Sequence, residues 1–162
     1  MNAPTGSAYR RIQSRAALAI LAGGLAAGTL DVGAAALIGR VDPRVILRFI
    51  AGGVQGATAL QGGAASAWLG LFLQWGMSLV IATVFVLAAL RLRWLTVRPV
   101  TAGLAYGVVV FVVMNYVVMP LSAWHRLNHF SPEKFALNLT AMLVFGLIVA
   151  FVTRKALGSP RG

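Results

Sequence analysis

Hydrophobic residues run in four long stretches along this chain, separated by short polar and basic segments. The stretches cover residues 16–39, 67–90, 100–122 and 135–153. A helix that crosses a bilayer needs about 20 mostly apolar residues, and each stretch has roughly that length. The pattern predicts an all-α membrane protein, with four transmembrane helices forming one bundle over residues 16–153.

The segment between the first two stretches has a different pattern. Asp42 followed by Pro43 is typical of a helix start, with a side-chain acceptor at the N-cap and a proline where no amide is needed. Behind it, apolar residues occupy one side of the helix, and Arg44 and Arg48 occupy the other. This pattern predicts a short amphipathic helix in the membrane interface, with both arginines among lipid headgroups.

The same region leaves two alternatives open. No charged residue occurs over residues 49–90, a length that two membrane crossings would need. Residues 45–62 would then form a fifth span, or residues 43–63 a re-entrant loop. The five glycines and two glutamines in this region weaken membrane insertion, so we favour the interfacial helix.

Composition and charge support a membrane protein. The chain of 162 residues is 59% hydrophobic and 10% charged, with a mean hydropathy of +0.85. Soluble domains carry about 25% charged residues, so we expect no separate soluble domain. The net charge of +11 comes from short basic clusters between apolar stretches, which favours anionic lipid over nucleic acid as a partner. Cysteine is absent, which excludes disulfides, thiolate metal sites and cysteine nucleophiles.

The distribution of Lys and Arg predicts the orientation. If both termini are cytoplasmic, the basic segments 1–15 and 154–162 and the loop between spans 2 and 3 hold nine basic residues, against five outside. The alternative is that the N-terminal region is a signal peptide cleaved near residues 34–36. Its apolar stretch exceeds the usual length of about 7–15 residues, which favours a retained first span.

One carboxylate, Asp31, lies inside a predicted span. An acid in hydrocarbon is costly and needs a partner or a wet cavity. With the predicted orientation, the outer halves of the four spans hold five polar residues: Asp31, Gln74, Asn115, Asn138 and Thr140. We expect these side chains to form a pocket that opens outward, with Arg48 as an ion partner for Asp31.

This polar cluster has two interpretations. In the first, the amide and hydroxyl groups satisfy Asp31 and fix helix packing, as polar residues often do in membrane bundles. In the second, the cluster is a proton-linked site or ligand pocket in which Asp31 titrates. We favour the structural interpretation.

Two glycine pairs with a spacing of four predict close helix contacts: Gly24 with Gly28, and Gly103 with Gly107. Such contacts serve packing within the subunit or drive homo-oligomerisation, and we favour the internal use. Residues 23–28 also resemble residues 102–107 in sequence, which leaves open an internal duplication.

The sequence gives only weak evidence for a catalytic or metal-binding site. His125, His129 and Glu133 are spaced four apart, but Pro132 interrupts the helix that would align them, and the sequence has no third histidine. They are better explained as interface residues. The sequence has no phosphate loop, catalytic triad or pair of acids, so we expect neither an enzyme nor a cofactor nor a metal site.

Three motifs carry a family resemblance: GTLD at 28–31, DPRVILRFIAGG at 42–53 and MNYVVMPLSA at 114–123. Over most of residues 18–155 the chain resembles small uncharacterised four-span proteins of the YagU type. The resemblance implies a four-helix bundle in the bacterial cytoplasmic membrane and no established activity.

Proteins of this type often carry one histidine where Gln74 stands and another near Ala141. This sequence has neither, so the resemblance implies no histidine-based function.

The sequence thus favours a multipass inner-membrane protein whose polar cluster is chiefly structural and holds a lipid or small ligand. One alternative is a small proton- or cation-coupled transporter or channel component that uses Asp31. A second is a membrane scaffold that contacts partner proteins or anionic lipid through its basic inner loops.

Overall fold

The computed structural model describes residues 6–125 and 131–158. In chain order the α-helices are α1 (Gly6–Gly39), α2 (Pro43–Gln55), α3 (Gly63–Arg91), α4 (Trp94–Val97), α5 (Pro99–Val113), α6 (Met119–Leu121) and α7 (Pro132–Leu157). Helices α1, α3, α7 and the continuous run from α5 to α6 are long and apolar enough to cross a membrane. The predicted all-α, four-span helical bundle is confirmed.

The first and last helices extend beyond the predicted spans. Helix α1 begins at Gly6 and not near residue 16, because no proline or glycine interrupts the basic segment that follows. Helix α7 continues to Leu157, so Arg154 and Lys155 lie in its last turn, where cations interact favourably with the helix dipole. Residues 1–5 and 159–162 of the predicted terminal segments lie outside the described residues.

Helix α2 begins where the sequence predicts. The Asp42 side chain accepts a hydrogen bond of 2.7 Å from the Arg44 amide, and Pro43 is the first helical residue. The helix has 13 residues and ends before Gly56, which adopts a φ of 67°. At about 20 Å it is too short for a hydrocarbon core of about 30 Å, so α2 is not a fifth span.

The long helices pack as antiparallel neighbours around an alanine-rich core. Helix α1 lies between α3 and α7, and α5 packs on α7. The Tyr106 hydroxyl on α5 donates to the Ile81 carbonyl on α3 at 2.7 Å and links the remaining pair. The main buried cluster consists of Ala27, Ala82, Phe85, Ala89, Ala102, Phe145, Val149 and Ala150. Small core residues let the helix axes approach closely.

Helix α2 is held against the bundle from two sides. Arg48 Nε donates to the carbonyl of Gly63 at the start of α3, at 3.1 Å. The Trp124 ring stacks on Phe49 with a centroid distance of 4.7 Å, and its Nε1 donates to the Phe49 carbonyl at 3.0 Å. The Ala123 amide also donates to a carbonyl of α2. Helix α2 therefore forms part of the folded domain.

Proline ends the third span, as the sequence predicts. Pro120 has no amide hydrogen and its ring crowds the carbonyl one turn back. A π-helical turn, Met114–Val118, precedes it, and the helix stops at Leu121. A π-turn widens the backbone and realigns the side chains that follow.

Both glycine pairs make close contacts within the subunit. A methyl group at Gly28 would collide with Ser78 of α3, and one at Gly24 would lie in tight contact with Leu79, at 3.0 Å. Methyl groups at Gly103 and Gly107 would collide with the backbone of α7 around residues 142–147. These glycines therefore serve helix packing inside the bundle.

Candidate functional site

Asp31 is held by an amide from the neighbouring helix. Gln74 Nε2 on α3 donates to Asp31 Oδ2 on α1 at 2.9 Å and to the Gly28 carbonyl at 3.3 Å. Gln74 is buried, with 9% of its surface exposed. Because both partners of Nε2 are acceptors, the amide orientation is fixed, and one oxygen of the acid is satisfied at an apolar depth.

A second hydrogen bond lies at the same level. Trp75 Nε1 on α3 donates to Thr29 Oγ1 on α1 at 3.2 Å. Thr29 is not one of the five polar residues that the sequence predicts to form a pocket. The signal available in the sequence was that Thr29 lies two residues before Asp31 and that a tryptophan directly follows Gln74. Two consecutive residues of α3 thus join α1.

Asp31 also faces a groove between α1 and α7. The groove has a volume of about 280 Å³, and Thr140 of α7 is the other polar residue that lines it. Its apolar lining is Ala27, Leu30, Ala34, Leu37, Ile38, Leu137, Ala141, Val144, Phe145 and Ile148. The groove is therefore an apolar trough with a carboxylate and a hydroxyl in its wall.

Thr140 is satisfied by its own helix. Its Oγ1 donates to the Ala136 carbonyl at 2.8 Å, which leaves the lone pairs of the hydroxyl for another donor. Any group that binds between Asp31 and Thr140 would meet acceptors on both sides. The site favours a ligand that donates hydrogen bonds or carries positive charge.

The two asparagines of the predicted cluster lie elsewhere. Asn115 sits in the π-turn, and its Nδ2 donates to the Phe111 carbonyl of the same run of helix at 2.9 Å. Asn138 Oδ1 is buried without a hydrogen-bond partner among the described residues and does not line the groove. The structure thus brings Asp31 and Gln74 together, places Thr140 across the groove, and leaves Asn115 and Asn138 apart.

The predicted ion pair between Arg48 and Asp31 does not form in the described part of the chain. Arg48 Nε is bound to Gly63, eleven residues before Gln74 on α3. That separation is about 16 Å along the helix, well beyond the reach of an arginine side chain. Arg44 is exposed at the start of α2.

Potential metal ligands of the usual kinds are not clustered where the structure describes them. Among residues 6–125 and 131–158, no group of three His, Cys, Asp or Glu side chains comes together. His125 is exposed and adopts a φ of 47°, and His129 lies outside the described residues.

No family model, curated protein or solved structure matches this chain. The resemblance to YagU-type proteins therefore stays a prediction. The structure supports a multipass membrane protein, with four helices of transmembrane length and a polar contact between the first two.

Proposed function

We propose that this chain is a multipass protein of the bacterial cytoplasmic membrane, with both termini in the cytoplasm, whose groove between α1 and α7 binds a lipid or small amphiphile. In this proposal the Asp31–Gln74 contact is chiefly structural. It fixes α1 against α3 and holds the acid in one orientation at the groove wall.

One observation carries the proposal. Asp31 has one oxygen engaged by Gln74 and also lines a groove that is otherwise apolar except for Thr140. An apolar trough buries a hydrocarbon chain, and a few placed polar groups orient its head. The best match is an alkyl chain with an amine or hydroxyl head that donates to Asp31.

A photo-crosslinking experiment tests this proposal. Three probes with twelve carbons and a diazirine, ending in an amine, a hydroxyl or a carboxylate, are bound to the purified protein in nanodiscs and located by mass spectrometry. We expect the amine probe to label groove residues of α1 and α7 most strongly, and the carboxylate probe least, because of repulsion by Asp31.

Two variants sharpen the result. Asp31→Asn keeps the shape and removes the charge, so we expect the preference for the amine to disappear. Ala34→Leu fills the groove and should reduce labelling by the amine and hydroxyl probes alike. Equal labelling by the amine and carboxylate probes in the unmodified protein contradicts the proposed ligand class.

A second function is proton- or cation-coupled transport through Asp31. It is favoured by the neutral character of the acid's partner, since Gln74 and not an arginine binds it. Intramembrane acids of this kind often belong to ion pathways. Pyranine-loaded proteoliposomes test it: a proton flux that Asp31→Asn abolishes supports transport, and no flux of H⁺, Na⁺ or K⁺ removes it.

Anionic phospholipid is the proposed partner at the other end of the bundle. Arg15 lines a hollow beside the last turn of α7, and Arg154 and Lys155 line an adjoining one. Clustered cations at a membrane surface attract anionic headgroups by about 1 kcal/mol each. Binding to vesicles with phosphatidylglycerol that weakens with salt is the expected result.

A further inference from the structure

A second cavity lies under the interfacial helix, away from the groove that Asp31 lines. It has a volume of about 240 Å³ and is enclosed by α2, α3, the π-turn and the connector after α6. Three methionines line it: Met77 from α3, Met114 from the start of the π-turn, and Met119 directly after that turn. The fourth methionine of the described residues, Met142, lies on α7 and does not line it.

The π-turn brings two of these methionines together. The Met119 amide donates to the Met114 carbonyl, a hydrogen bond between residues five apart. This bond stacks the two residues on successive turns, whereas a regular α-helix would rotate them away from each other. Met77 and Met114 also both line the adjoining cavity between α3 and α5. Three flexible thioethers therefore surround one space.

The other polar residues that line the cavity are Gln74, Ser122 and Trp124, and each donates its side-chain hydrogen bonds to groups of the protein. The Ser122 hydroxyl donates to the Met119 carbonyl at 2.7 Å, and Trp124 Nε1 donates to the Phe49 carbonyl at 3.0 Å. Gln74 Nε2 is engaged by α1, which leaves Gln74 Oε1 with no hydrogen-bond partner among the described residues.

The chemistry of this lining selects a class of ligand. Thioether sulfur is a soft donor that prefers Cu(I) over hard ions such as Mg²⁺ and Ca²⁺. A divalent ion would need carboxylates to offset its charge, and the cavity lining has none. We propose that this cavity binds a soft monovalent metal ion, Cu(I) or Ag(I), through the thioether sulfurs of Met77, Met114 and Met119. The proposal does not depend on the function assigned to the α1–α7 groove.

A titration with Ag(I) tests the site without redox chemistry, using the full chain in detergent micelles. We expect one ion per chain by calorimetry, and competition by Cu(I) supplied from a bathocuproine complex. Met77→Leu, Met114→Leu and Met119→Leu should each weaken Ag(I) binding by at least tenfold. Met142→Leu is the matched control and should bind as the unmodified chain does. Methionine and leucine have similar volumes, so these changes preserve packing.

A second measurement does not depend on the variants folding. In the unmodified chain labelled with ¹³C at the methionine methyl groups, Ag(I) should shift the resonances of Met77, Met114 and Met119 and leave that of Met142 in place. If the three methionines only fill apolar space, Ag(I) will cause no selective shift and no stoichiometric binding. That result, or equal weakening in Met142→Leu, overturns the proposal.

Discussion

Two helix contacts in this bundle are each built on a pair of glycines with a spacing of four. They differ in which atoms of the neighbouring helix face the glycines. In the first contact, Gly24 and Gly28 of α1 lie on α3. In the second, Gly103 and Gly107 of α5 lie on α7. In each case a span places its glycines against the span that follows it. This arrangement agrees with the duplication that the sequence leaves open, which stays a prediction.

The partners of the glycines distinguish the two contacts. On α3, Gly28 meets the side chain of Ser78, whose Cβ would lie 2.8 Å from an added methyl group. On α7, Gly107 meets the backbone, with the Leu143 Cα at 2.7 Å from an added methyl group. Gly146 completes this contact from the other side, where an added methyl group would lie 2.7 Å from the Gly107 nitrogen. At Gly107 the α5–α7 contact is backbone against backbone, whereas at Gly28 the α1–α3 contact is backbone against side chain. At Gly24 the α3 backbone is less close, with the Leu79 Cα at 3.1 Å from an added methyl group.

This difference has a consequence for function. A contact between backbones has no side chain that can move, so it fixes the distance between two helices. At Gly28 the α1–α3 contact meets a side chain, and the Asp31–Gln74 and Thr29–Trp75 hydrogen bonds lie near it. We infer that α5 and α7 form the rigid half of the bundle. The polar contacts between spans, Asp31–Gln74 and Thr29–Trp75, lie in the other half, between α1 and α3.

Gly146→Ala should have the largest effect. Its methyl group would meet the α5 backbone, so the two helices must separate, and we expect a loss of about 3 kcal/mol of unfolding free energy. Unfolding by SDS in mixed micelles, followed by circular dichroism, measures it. Gly76→Ala is the control, because an added methyl group there meets nothing within 4 Å. Equal stability of these two variants would refute the backbone contact.

Gly28→Ala should cost less, about 2 kcal/mol, because the obstacle is one side chain. The same unfolding measurement applies to a double variant, Gly28→Ala with Ser78→Gly. We expect the second change to recover most of the loss, since it removes the atoms that the new methyl group meets. Strict additivity of the two changes would contradict this explanation.

Gln74→Leu should cost about 1 kcal/mol, since hydrogen bonds between membrane helices contribute about 0.6 kcal/mol on average and at most about 1.7. A double-mutant cycle with Asp31→Leu isolates the contact. We expect a coupling energy in that range, because each single change leaves the other polar group unpaired. A coupling energy of zero would mean that the two side chains do not interact in the membrane.

Thr140→Val should have the smallest effect on stability, below about 0.5 kcal/mol, because its hydroxyl donates to its own helix and has no hydrogen bond to another span among the described residues. The same variant should still reduce crosslinking of the hydroxyl-headed probe in the α1–α7 groove. A loss of stability as large as that of Gln74→Leu would show that Thr140 supports packing and does not serve the groove.

Local signals in the sequence predicted the ends of several elements. Asp42 with Pro43 marked the start of α2, and Pro120 marked the end of the third span, because capping and the missing proline amide act over a few residues. The glycine pairs were found for the same reason, since a spacing of four is visible along the chain. Gly146 on α7, which faces Gly103 and Gly107, has no second glycine at that spacing, so the sequence did not identify it as a packing residue.

Long-range contacts explain the errors. Gln74 was expected as one of several polar groups around Asp31 and makes the contact, but Asn115 donates to its own helix and Arg48 to Gly63. Which face of a helix meets which neighbour depends on helix rotation, and the π-turn altered that rotation for everything near residues 114–118. No local pattern in the sequence predicted this turn.

The sequence by itself determined that four apolar helices cross a membrane, because length and hydropathy alone decide what hydrocarbon can accept. It also determined that one acid must find a partner inside the bundle. Only the tertiary structure decided that the partner of Asp31 is Gln74. It also decided that α2 and three methionines line one cavity, and that α5 packs against Gly146 of α7. Those outcomes depend on how whole helices are rotated and spaced, and close packing of distant residues sets both.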